Sequence, residues 1–211
     1  MVDRVDQLRY RVALGTLVVL AACSPSEAST READSVARPG RGSAAGYVDS
    51  AMSLAEGLRR FREGLPEVDE LTGGASDRDS LIVRFVAAVE RGDTATVRAM
   101  VVNRAEFAWL YYPISPYTRP PTRQLPALRW FLMLHDSQNG ITRVFNRYAG
   151  RPLGYVGHAC ESRAREESEF RFWDRCTITV REGGQAATHR LFGSIIELRG
   201  HYKFLSYNND F

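Results

Sequence analysis

Along the 211-residue chain the spacing of apolar residues changes once, near Leu153. Before that point they recur three and four positions apart; after it they alternate. The first pattern keeps one face of a helix apolar and the second keeps one face of a strand apolar, so helices come first and strands last. Short links between successive strands make them antiparallel, because a parallel return needs a crossover of a dozen residues or more. The expected fold class is α+β, with N-terminal helices packed on one face of a curved four-stranded antiparallel sheet.

Within the helical half, Val48, Ala51, Met52, Ala55, Leu58 and Leu65 predict one amphipathic helix, ended by Pro66 and Gly73-Gly74. Ser76-Asp77-Arg78-Asp79 resembles a capping box ahead of Leu81, Ile82, Phe85, Val86 and Val89. Arg91-Gly92-Asp93 breaks that helix, and Asp93 caps a short one after it. Residues 103–112 read as a helical turn with an aromatic face. Pro113, Pro116, Pro120, Pro121 and Pro126 then exclude regular structure. Residues 128–135 and 141–148 predict two further helices with a break near Asn139-Gly140. Strands are expected over 154–161, 170–181, 188–198 and 202–208, with hairpin turns at Gly183-Gly184 and Arg199-Gly200.

None of this pattern begins before Tyr47. Arg4, Arg9 and Arg11 precede an uncharged run of 11 residues, 12–22. A membrane-spanning helix needs about 20 residues, so this run has the length of a signal-peptide core. It ends Leu20-Ala21-Ala22-Cys23, which resembles the bacterial lipobox. That resemblance implies cleavage before Cys23, a diacylglyceryl group on its thiol and a fatty acyl chain, palmitate or similar, on its new amino group. Ser24, where aspartate would favour inner-membrane retention, implies the outer membrane. Residues 24–46 hold no aromatic side chain and one large aliphatic, Val36. Such a stretch buries too little apolar area to offset the entropy of ordering it, and reads as a flexible tether. The expected organisation is a signal peptide at 1–22, a lipidated tether at 23–46 and a folded domain at 47–211, facing the periplasm or the exterior.

Charge and motifs exclude several functions. The 28 Lys+Arg against 25 Asp+Glu leave a net charge of +3, too small for a dedicated nucleic-acid binder. No Walker loop, G-x-G-x-x-G, H-E-x-x-H or G-x-S-x-G is present, which disfavours standard nucleotide hydrolases, zincins and serine hydrolases. No cofactor is expected.

Beyond Cys23 the cysteines are Cys160 and Cys176, 16 positions apart on neighbouring expected strands. They lack C-x-x-C spacing, and an exported compartment permits a disulfide, so they are expected to pair. That pairing would set His158 near Ile178, and the Gly183-Gly184 turn would set Ile178 near His189. Alternation then places His158, Cys160, Asp174, Cys176, Ile178, His189 and Leu191 on one face. Asp174, His158 and His189 are the candidate catalytic residues, since histidine titrates near neutrality. A hydrogen-bonded or solvent-facing role is favoured over a metal site, which needs three or four converging ligands. His201 is expected to be exposed. The aromatics Phe107, Trp109, Tyr111, Tyr112, Tyr117 and Trp130 either line a ligand pocket or fill a core, and both readings stay open. Glu106 reads as a pocket acid or a surface helix residue; Arg119 and Arg123 read as anion contacts or as a solvated loop.

The stretch Leu81-Ile-Val-Arg-Phe-Val-Ala-Ala-Val-Glu-Arg-Gly-Asp-Thr94 and the ending Gly200-His-Tyr-Lys-Phe-Leu-Ser-Tyr207 resemble the nuclear-transport-factor-2-like (cystatin-like cone) superfamily, over residues 76–210. The resemblance implies a cone-shaped domain around a pocket. It is shared by isomerases, dehydratases and non-catalytic binding or assembly domains, so fold alone does not choose among them. The expectation is a membrane-anchored envelope lipoprotein whose domain binds a small apolar ligand or an envelope protein without catalysis. The alternatives are an isomerase- or dehydratase-like enzyme with a carboxylate or histidine base, and a structural homodimer.

Overall fold

The computed structural model of the protein describes residues 52–210. The expected signal peptide, Cys23 and the tether lie outside the described residues, as do Val48 and Ala51 of the first expected helix.

Helix α1, Leu54–Arg62, starts where the Ser53 hydroxyl accepts the Glu56 amide, and it buries Gly57 and Phe61. It ends sooner than expected because Glu63 leaves helical geometry and Gly64 takes a positive φ. Helix α2, Arg78–Glu90, is capped by Asp77 and buries Leu81, Ile82, Phe85, Val86 and Val89. Helix α3, Thr94–Ala99, is capped by Asp93 through the Thr96 amide. A single turn, α4, Arg104–Glu106, closes a full capping box with Asn103. The chain then winds as a π-helix over Phe107–Tyr111 and as 3-10 turns over Tyr112–Ile114 and Pro116–Thr118. Helical turns therefore enter the proline-rich stretch, since proline is tolerated in a first turn whose N–H has no partner anyway.

Helix α5, Pro126–Tyr148, runs unbroken for 23 residues. The break expected near Asn139-Gly140 does not occur. Gly140 is buried against the carbonyl of Tyr207, and any side chain there would overlap that oxygen. The glycine costs the helix about 1 kcal/mol relative to alanine, and it allows the C-terminal segment to lie directly on the helix backbone.

Among the described residues seven strands replace the four expected: β1 Tyr155–Ala159, β2 Arg165–Glu167, β3 Phe170–Trp173, β4 Thr177–Glu182, β5 Gln185–His189, β6 Ile195–Leu198 and β7 His201–Phe204. They form two antiparallel sheets, β1-β4-β5 and β2-β3-β6-β7. The expected strands 170–181 and 188–198 are each cut in two, and their halves lie in different sheets. The cause is a one-residue slip. Trp173 pairs with Ile195, and Ile178 with His189, so four residues on one strand face five on the other. The surplus residue cannot join a regular ladder, which breaks and bends there. Gly183 and Gly184, both at positive φ, make the two-residue turn between β4 and β5.

Two apolar clusters hold the elements together. One joins α2, α3 and the end of α5 to the three-stranded sheet and to Trp173, Ile195 and Phe204 of the four-stranded one, with Phe85 between Phe192 and Tyr207 at ring distances of 5.5 Å. The other packs α1 and the π-helix on β3 and β6, around Phe61, Phe107, Tyr112, Phe172 and Ile196. A disulfide joins Cys160, just after β1, to Cys176, just before β4.

Candidate functional site

The break in the ladder positions the site. Asp174 and Ser194 sit in the two irregular segments between the sheets, and Arg190 begins the second of them. Freed from strand pairing, these side chains edge a cavity of about 520 Å³. That volume lies within the range typical of small-molecule sites, roughly 300–1,000 Å³. Its other walls come from the end of the π-helix (Tyr111), the 3-10 turns (Ser115, Tyr117), helix α5 (Arg129) and the four-stranded sheet (Arg165, Phe172).

Three arginines reach the cavity, and two are already paired. Arg165 donates to Asp174 at 3.0 Å, with its guanidinium over the Phe172 ring at 4.3 Å. Arg190 donates to Asp210 at 3.2 Å. Arg129 forms no ion pair with any described residue. Its guanidinium lies over the Tyr117 ring at 4.0 Å, and its Nε is buried without a hydrogen-bond partner.

Tyr111 adds a second free donor. It is 6% exposed, and burial pushes its phenol up to about 12. The charges of Arg129, Arg165 and Asp174 bear on that phenol, while no hydrogen bond does. Asp174 accepts from Arg165 and, at 2.7 Å, from the Ser194 hydroxyl. Burial is the largest single influence on Asp174 and raises it, but the bonds from Arg165 and Ser194 together hold it below the ordinary carboxylate value. The Arg129 guanidinium, without an ion pair among the described residues, can donate to a negatively charged group, while the two carboxylates on the lining, Asp174 and Glu167, are paired with Arg165 and Arg119.

The expected catalytic residues do not converge. His158 of β1 and His189 of β5 both pair with Ile178 of β4, as expected, so they share one face of the three-stranded sheet with the width of β4 between them. His158 is held by the Tyr155 hydroxyl at 2.6 Å and by Asp79 of α2 at 3.1 Å. His189 lies 3.4 Å from Glu182. Only Asp174 borders the cavity, because the one-residue slip moves it out of the register that would align it with the histidines. Among the described residues no group of three or more His, Cys, Asp or Glu side chains could hold a metal ion.

The aromatic stripe divides. Phe107 and Tyr112 fill the second core cluster, and the Tyr112 hydroxyl donates to the Gln124 carbonyl. Trp109 packs under Arg62 at 3.9 Å. Tyr111 and Tyr117 reach the cavity, and Trp130 lines a separate groove. Glu106 is neither a pocket acid nor a surface residue: it is 1% exposed and bound to Lys203. Arg119 pairs with Glu167 at the surface. Arg129, Arg165, Arg190 and Ser194 were not singled out from the sequence. Arginine is common in this chain, so residue type alone marks none of them.

Comparison with protein-family models, with curated proteins and with solved structures finds no match.

Proposed function

We propose that the chain is a lipid-anchored bacterial envelope protein whose α+β domain binds a small anionic molecule in the cavity between the helices and the bent sheet, without catalysis. The observation that carries the reading is the Arg129 Nε, buried at that cavity without a hydrogen-bond partner, with the Tyr111 phenol on the same wall. A buried donor left without a partner costs about 1–3 kcal/mol, which a bound acceptor would recover. Leu20-Ala21-Ala22-Cys23 supports the anchor, and Ser24 favours the outer membrane. Helices on a sheet that bends at a seam are compatible with a cone of the nuclear-transport-factor-2-like kind. The isomerase or dehydratase reading is weaker: only Asp174 is near the cavity, and its depressed pKa makes it a poor base.

Two measurements test this. Labelled palmitate should enter the wild-type chain in a bacterial host and be lost in Cys23→Ala; labelling of the variant would refute the anchor. For the cavity, native mass spectrometry of the full chain and thermal-shift titration with benzoate, hexanoate and inorganic phosphate would be compared with Arg129→Gln. At least one anion should stabilise the wild type with an affinity about tenfold above that for the variant, as expected for loss of a charged hydrogen bond. Equal behaviour of the two proteins toward every anion, with no co-purifying species, would refute the reading.

A further inference from the structure

A second depression, of about 540 Å³, runs between α3 and α5. Its lining is mainly apolar, with Val97 and Val101 on one side and Trp130, Leu134, Ile141 and Phe145 on the other. Its charged groups are Arg98 and Arg104, and no acidic residue lines it. Neither arginine forms an ion pair with any described residue; Arg104 rests over the Phe61 ring at 4.7 Å. Helix α5 also carries exposed apolar side chains. Leu134 is 37% exposed, and Phe131 and Leu128, earlier on the helix, are 63% and 50% exposed.

We propose that this groove binds the acyl chain of an amphiphile with an acidic head, of the fatty-acid type. Three features select that occupant over a peptide. An extended hydrocarbon chain needs no hydrogen bonds, which matches the apolar lining. Of the groove's neutral polar side chains, Ser137 is buried and already accepts the Tyr207 amide at 2.9 Å, while Thr94, Asn103, Gln138, Thr142 and Asn146 also line it. The acid supplies the negative charge that two unpaired guanidinium groups and no carboxylate call for. Residues three apart on a helix are neighbours on its surface, so Phe131 and Leu128 lie on the turns before Leu134, which lines the groove. The inference does not depend on the anion cavity described above.

The test uses the full chain carrying Cys23→Ala, which has no thioether lipid, and 9,10-dibromostearate, whose bromines quench nearby tryptophan. Quenching should be saturable and should come from Trp130, so that Trp130→Phe removes it while the fluorescence of Trp109 and Trp173 persists. Leu134→Glu, at a partly exposed position, should abolish the quenching with unchanged circular dichroism. Arg98→Gln/Arg104→Gln should weaken it at least tenfold, and the matching brominated alcohol should bind at least tenfold more weakly than the acid. Non-saturable quenching, quenching retained in Trp130→Phe, or equal binding of acid and alcohol would overturn the proposal. So would a concentration-dependent doubling of mass with Trp130 shielded, because a second copy of the chain would then be the occupant.

Discussion

Glu106 and Lys203 offer a sharp test of how α4 is fastened to β7. Glu106 is 1% exposed and Lys203 2%. The ammonium donates to both carboxylate oxygens, at 2.9 Å and 2.8 Å. The same carboxylate accepts the amides of Thr72 and Asn103, each at 2.8 Å. Glu106→Gln keeps the shape, removes the charge and leaves Lys203 buried without a counter-ion. Breaking one side of a buried pair costs about 3–5 kcal/mol, against a whole-domain stability of roughly 5–15 kcal/mol. Urea unfolding at pH 7 should show a loss in that range. Glu106→Gln/Lys203→Met removes the stranded charge as well and should recover most of it. The pH dependence has a definite sign. Burial holds Lys203 below its ordinary value of 10.5, and Glu106 opposes that shift. Removing Glu106 lowers the folded-state pKa further. Between that value and 10.5 the folded variant binds fewer protons than the unfolded chain, so its stability rises with pH. The deficit of Glu106→Gln therefore shrinks as pH rises from the variant's folded-state Lys203 pKa to that of the wild type, and is constant above it, where both folded chains bind the same number of protons. A loss under about 1 kcal/mol, the size of a surface pair, or a double variant no more stable than the single one, would refute the reasoning.

Lys203 is also the chain's one lysine. Amine-reactive label should thus spare it in the native protein and reach it with the urea unfolding midpoint; a Lys203 adduct on folded protein, found by peptide mapping, would contradict its burial. Gly140→Ala should lower the melting temperature although alanine is the better helix former, because its methyl group meets the Tyr207 carbonyl; a raised melting temperature would show that α5 and the C-terminal segment are not in contact. Replacing Cys160 and Cys176 together by alanine should cost about 3 kcal/mol in urea unfolding, the chain-entropy value for a loop of this length, and an unchanged midpoint would mean that the bridge does not form.

What was legible in the sequence was mainly local. Asp77 and Asp93 cap the helices they precede, Gly183-Gly184 makes the turn it suggests, and Cys160 pairs with Cys176 across the expected hairpin. Misreadings came where a distant contact overrode a local signal. Gly140 looks like a helix break within its own segment, yet its role is set by Tyr207, far along the chain. Residues 165–167, Arg-Glu-Glu, carry no apolar alternation, so β2 was invisible; it forms as an edge strand whose ladder partner, β3, supplies the buried face. Glu106 looks like an ordinary helix carboxylate until Lys203 arrives beside it.

The cavity beside Asp174 is hidden in the sequence for a related reason. A continuous alternating pattern implies a continuous ladder, and such a ladder puts Asp174 on one face with His158 and His189. Five residues opposite four break it, and nothing in the side-chain pattern records which segment holds the surplus. The break has two effects at once. Around it the core divides: Phe170, Phe172, Ile196 and Leu198 pack with the π-helix, while Trp173, Ile195, Ile178 and Val180 pack with α2 and the end of α5. It also frees the residues between the sheets from strict alternation, so that Asp174, Arg190 and Ser194 gather at one edge and take Arg165 and Asp210 as partners. The donors left over, Tyr111 and Arg129, come from the helical half, which the bend brings against that edge. The same slip that takes Asp174 away from His158 and His189 therefore gathers Asp174, Arg190 and Ser194 with Arg165 and Arg129 at one cavity.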